Sequence, residues 1–410
     1  MEENQKPTTA LVQTTANQLV PTEQTPGYWS CTSRRYLFAF RIILILRVVF
    51  AVLFASLAPT AFSGNGIYYF AKDLAALGAL ADRDQTALYY QYGETTAAHV
   101  SFRGGAATAY DHGIEILTAA GEPSLLAERV FGEPRIVASR HYVLAYDLGG
   151  TAFSLCNGYS ELCRGTTEAP IVYAAVSDAG SFAVVTAAVT EGDVFYPSEI
   201  LLYNGSFKLT QRFKRSAPTI AVDLSKDGRY IAILGTSQNG ALLDIYARKA
   251  TKPQASVTFD GFPCAVGFTT SNMVAVLTDA SCHTLRTDGK RYKSISFDGQ
   301  ALLAYDIGEK AVAVALQTDA VQSGARLVAC DKKGNIKYDG DGYTDVRDLS
   351  LYDRTAWMLT GAGVVAVDLR RGTVADTVAI EPGAVTIEGV GRDRAKLFYP
   401  AYLADVGVGD

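Results

Sequence analysis

The chain has 410 residues, 49% of them apolar and 10% aromatic, with 37 Lys and Arg against 42 Asp and Glu for a net charge of −5. That composition is too apolar for a disordered chain and too acidic overall for a nucleic-acid binder; with 6 Cys it is also far from a disulfide-dense scaffold. Length alone suggests two or three domains.

Residues 1–33 hold four charges, Glu2, Glu3, Lys6 and Glu23, and no apolar period, which predicts a disordered cytoplasmic tail. Arg34, Arg35 and Arg41 then lead into Ile42 to Phe62, a 21-residue run whose only charge is Arg47. About 20 apolar residues cross a bilayer as a helix, and Arg47 lies close enough to one end for its side chain to snorkel to the headgroups. Arg34, Arg35, Arg41 and Arg47 all fall on one flank, so the positive-inside rule predicts a single-pass membrane protein with the rest of the chain extracellular. A cleaved signal peptide would need a leading region of about 41 residues, far longer than is usual. Residues 1–60 carry +2 and the remainder −7, so the outer part is mildly acidic, with no basic stripe for anionic polymers.

Residues 63–85, with an Ala- and Leu-rich helical pattern from Phe70 to Asp82, read as a stalk. From Thr86 to about residue 405 the chain becomes a series of short Val-, Ile-, Tyr- and Ala-rich runs broken by Gly, Asp and Asn, the signature of an all-β fold. A polar turn after an apolar strand recurs at Gly121, Gly158, Gly205, Gly289, Gly334 and Gly372, with DIYARKATKP around Arg248 as the member that lacks the glycine. The mean period is about 42 residues, that of a four-stranded propeller blade. Each unit opens with two strands around a tight turn, and there are eight such openings but only seven following hairpins. The last opening, Val385 to Tyr399, finds its partner in TALYYQY (Thr86 to Tyr92), which closes the ring and removes two exposed edges. The expected fold is an eight-bladed β-propeller with a composite last blade, or seven blades with spare strands.

LSKDGRYIAIL (Leu224 to Leu234) resembles the repeat signature of WD40-like and TolB-like propellers, and VVAVDLRRGTV and LVACDKKGNIKY resemble the hairpin of quinoprotein-like repeats. The layout of tail, anchor and extracytoplasmic propeller resembles an uncharacterised, domain-of-unknown-function family from Gram-positive bacteria. The resemblance implies fold and topology and no activity.

Candidate chemistry is sparse. A quinone-dependent dehydrogenase of this fold needs docking tryptophans, and the chain has only Trp29 and Trp357. Ser225-Lys-Asp227-Gly-Arg fails as a sialidase Asp box. His99, His112, His141 and His283 have no metal-ligand spacing, and no P-loop or nucleophile elbow is present. No cofactor is expected. Asp111, Asp147 and Asp306 end inner strands and read as turn residues, or as a carboxylate ring for a cation at the channel mouth. Cys156 and Cys163 flank NGYSEL; a four-residue loop from Gly158 to Glu161 would set them opposite each other, at a separation a disulfide accepts, with two thiols as the alternative. The expectation is a non-catalytic binding or scaffolding module that engages another envelope or membrane protein, or a wall glycan. The alternative is an envelope glycan hydrolase or lyase using channel-mouth carboxylates.

Overall fold

The structure is a computed structural model that describes residues 34–57, 88–89, 97–119, 121–319 and 323–408. The chain divides into two units, residues 1–70 and 71–410. The first contributes one helix, α1 (Arg34–Leu57), of 24 residues, which begins in the arginine pair. Its described side chains from Ile42 to Val52 are exposed. Among the described residues no helix is long and apolar enough to cross a membrane. The run expected to span, 42–62, extends five residues past the end of α1, and those residues, the tail 1–33 and the stalk 63–85 lie outside the described ones.

Among the described residues the second unit is all β: 32 strands in eight four-stranded antiparallel sheets. Seven blades are built from consecutive strands, running from β2 (Ala98–Phe102) to β29 (Thr373–Val378). The eighth is composite: β30 (Thr386–Gly389), β31 (Arg394–Phe398) and β32 (Tyr402–Gly407) come from the C-terminus, and β1 (Leu88–Tyr89) adds on the outside. Eight blades with joined ends is the arrangement expected. The difference is that the C-terminus supplies three strands rather than two; of the TALYYQY run the described residues are Leu88 and Tyr89.

The first strands of successive blades adjoin one another around a central channel, as β14 (Thr219–Leu224) does with β18 (Pro263–Thr270). Second strands are sandwiched between neighbouring blades and read as unbroken apolar runs; every residue of β19 (Met273–Thr278) and β27 (Thr355–Thr360) is buried. Fourth strands face solvent, and β21 (Arg291–Ser296) is almost wholly exposed. The core is therefore not one cluster but eight, one at each blade junction. Each buried leucine or valine there contributes about 1.5–3 kcal/mol. The smallest cluster closes the ring between the eighth and first blades, and consists of Ala106, Leu117, Phe398 and Leu403.

Candidate functional site

In an antiparallel blade the first-to-second and third-to-fourth turns emerge at one end of the ring, and the second-to-third turns and blade-to-blade connections at the other. Charge follows that parity. Among the described residues the first set carries sixteen Lys and Arg against seven Asp and Glu, whereas the second carries nine Asp and Glu against Arg129 alone. The propeller thus has a basic end and an acidic end. The mild acidity read from the sequence holds for the sum, but the expectation of no basic stripe is corrected, because the average conceals two opposed faces.

On the basic end the turns of blades four to seven surround a cavity of about 700 Å³. Its walls bring Lys226, Lys310, Lys332, Lys333, Arg354 and Arg370 together with Lys337, against Glu309 and Asp331 as the only acids. Lys226 pairs with Glu309, and Lys337 with Asp331 at 3.5 Å. Asp353, behind the wall, receives Lys310 at 2.5 Å, Arg392 at 2.7 Å and Arg370 at 3.2 Å. These cations, Lys310 first, hold its carboxyl at about 2. Lys332, Lys333 and Arg354 pair with no carboxylate among the described residues. Thr269 also lines the cavity; it is 1% exposed, and among the described residues its Oγ1 has no hydrogen-bond partner.

The channel is acidic. Asp223, Asp306, Asp348 and Glu388 sit on first strands of blades four, six, seven and eight, and each accepts a backbone N–H from the first strand of the next blade. The donors are Phe268 (2.7 Å), Leu351 (2.6 Å), Ile387 (2.8 Å) and Ser101 (2.5 Å). Each carboxyl touches the channel space yet is hemmed in by protein. Desolvation raises Asp223 and Asp306 to about 6, and raises Asp348. Glu388 is pushed up to about 8, by burial first and then by the charges of Asp306 and Asp348. One side chain recurring in one role across four blades is a latch between blades.

Of the three aspartates expected to ring the channel mouth, only Asp306 is in the channel. Asp147 staples the connection before its own blade, accepting from Gly132 N at 2.8 Å and Glu133 N at 2.7 Å, and Asp111 contacts His112 in a turn of the acidic end. No group of His, Cys, Asp or Glu that could hold a metal ion occurs among the described residues. His283 lies between Ser281 Oγ and Ser294 Oγ, each at 2.7 Å, and burial lowers it to about 4. Arg34, Arg35, Arg41 and Arg47 all lie on α1.

The cross-strand pairing expected for the two cysteines is not the one found. Leu155, not Cys156, lies opposite Cys163, because the register shifts and Cys156 pairs with Glu161. The shift follows from Asn157, whose Oδ1 accepts from Tyr159 N at 2.9 Å and Ser160 N at 2.8 Å and tightens the turn by one residue. A one-residue slip puts the sulfurs on opposite faces of the sheet, Cys156 in the cluster toward the first blade and Cys163 against that toward the third. Both are free thiols, and burial pushes Cys156 up to about 12.

Sequence reasoning missed the basic cavity and three of the four latches. The cavity cations are scattered from 226 to 370, one or two to a turn, and only turn parity collects them on one end.

No protein-family model and no curated protein matches the chain. Solved structures do. Sqt1 of Saccharomyces cerevisiae aligns over 80% of this chain and 100% of its own at 11% identity and a TM-score of 0.56. The C-terminal WD40 domain of Sif2 aligns over 80% and 98% at 12% identity and 0.57. AztD from Citrobacter koseri aligns over 76% and 90% at 11% identity and 0.51. At such identities these likenesses establish one thing: the described β unit has the β-propeller fold of WD40-like proteins.

Proposed function

We propose that the chain is a membrane-tethered, extracytoplasmic scaffold whose propeller binds other envelope components without catalysing a reaction. The observation that carries this reading is the segregation of charge, sixteen cations against seven anions at one end and the reverse imbalance at the other. Opposed fields of this kind select partners and set their orientation. The basic end takes an anionic surface, on another envelope protein or a wall glycan. In this reading α1 is the cytoplasm-proximal part of a single membrane anchor, with Arg34, Arg35, Arg41 and Arg47 on its inner side.

A specific observation favours one second reading, an envelope glycan hydrolase or lyase: the channel holds carboxylates with raised pKa values, as acid–base catalysis requires. The latch accounts for those carboxylates without chemistry, so the binding reading is preferred. Photo-crosslinkers placed in native membranes at Lys252 on the basic end and at Asp193 on the acidic end test it. Distinct, reproducible adducts from the two positions are expected. A smear common to both, or glycan cleavage lost in Glu388→Gln, would overturn it.

A further inference from the structure

The basic cavity is a built concavity and differs in kind from the charge spread over the rest of its end. We propose that it is a binding site for a ligand carrying two or three phosphoryl groups. This goes beyond the scaffolding reading and does not depend on the membrane anchor.

Three features point to it. First, the volume of about 700 Å³ lies within the ~300–1,000 Å³ range of small-ligand sites. Second, the lining side chains sum to a charge of +5, and to +4 once Asp353 behind them is counted, yet the protein's own acids are spent on Lys226, Lys310, Lys337 and Arg370. Lys332 and Lys333, adjacent in the third-to-fourth turn of blade six, and Arg354, in the first turn of blade seven, enter from two blades with no carboxylate partner among the described residues. Third, the Thr269 hydroxyl, buried without a partner among the described residues, is a polar group left unsatisfied in the wall.

The class of anion follows from charge density. A phosphoryl group carries about −1.5 to −2 at neutral pH, so two or three balance +4 within this volume. Carboxylates at one charge each would need four or five groups in the same space. The fork of Arg354 suits bidentate phosphate, and the two lysines act as point charges.

The test is calorimetric titration of the detergent-solubilised full chain with inorganic tripolyphosphate. Saturable one-to-one binding that weakens with salt is expected. Lys332→Gln with Lys333→Gln should weaken it at least tenfold. Lys252→Gln with Lys290→Gln, exposed positions on the same end outside the cavity, should change it less than twofold, and all four changes leave thermal unfolding unaltered. Dihexanoyl phosphatidylinositol bisphosphate in place of tripolyphosphate separates a lipid headgroup with several phosphoryl groups from a free oligophosphate: cavity-dependent binding of either supports the site. Absence of binding by both, equal weakening by the two pairs of substitutions, or citrate binding as tightly as tripolyphosphate would overturn it.

Discussion

The backbone N–H of Ser101 donates to Glu388 Oε2 at 2.5 Å, joining the first blade to the last across 287 residues of sequence. Beside it, the His99 ring stacks on Phe398 with centroids 5.8 Å apart. Closure of the ring therefore rests on a carboxyl group in an environment that opposes its charge, above a junction with four core residues among the described ones.

The first prediction concerns pH. Glu388 has a folded pKa of about 8 against an ordinary 4.5, so the folded state holds its proton more tightly than the unfolded chain does. That contribution to stability is complete below the unfolded value and is lost as pH rises from about 5 to 8. Glu388→Gln keeps an acceptor for Ser101 and removes the charge. It should flatten the stability profile across this window and stabilise the protein at pH 8.5 by roughly 1–3 kcal/mol, discounted for the solvent that reaches the channel. Denaturant unfolding at pH 5.5 and 8.5 is the measurement; an unchanged slope would place the titration elsewhere.

The second concerns the seam. Hydrogen exchange should be least protected in the strands of the eighth and first blades that meet there, β31 with β32 and β2 with β3 (Gly105–Ala109). It should be most protected around β15 (Tyr230–Ser237) and β16 (Gly240–Ala247), whose junction cluster has thirteen buried residues. Uniform protection around the ring would contradict the unequal cores.

The third concerns Gly389. A Cβ there would lie 2.8 Å from Trp357 Cδ1 and 2.9 Å from Tyr352 Cβ, and Trp357 is fully buried with its Nε1 donating to Gly391 O at 3.2 Å. Gly389→Ala should cost about 1–3 kcal/mol by forcing the indole aside, with a change in near-ultraviolet dichroism in the folded baseline. Gly299→Ala, at an open position with a positive φ of 80°, should leave that dichroism unchanged.

The fourth concerns the thiols. Intact mass under non-reducing conditions should show no loss of two hydrogens, and a reductant should not shift the unfolding temperature. Maleimide should reach half-buried Cys163 before buried Cys156. A reductant-sensitive midpoint would restore the bridge.

Much of the fold could be read from the residues. The turn glycine that follows the third strand recurs in six of the eight blades, and the unmatched last opening forced the two ends of the propeller sequence together. The third C-terminal strand, YLADVG, escaped because its outer partner β1 lies at the other end of the propeller sequence, so no hairpin marks it. At Cys156 the apolar alternation was correct, but the turn was set by the Asn157 side chain, which a residue count does not register. The latches were hidden for a related reason. Asp306 reads as a strand-end turn residue and nothing in the sequence marks Asp223 or Asp348; only the position of the next blade shows which N–H each receives. Segregated charge was present in the sequence throughout, but net charge and windowed composition average over consecutive turns that point in opposite directions.

Among the described residues the pairing of β1 with β32 joins Leu88 to Leu403 and Tyr89 to Tyr402. A pull transmitted along the chain from residues before 88 meets this short ladder ahead of every other strand in the ring. β1 stands at the outer edge of its sheet, whereas β2 belongs to a blade made from one stretch of chain. The composite blade thus puts its one N-terminal strand first in the path of tension arriving from that side, ahead of β30, β31 and β32.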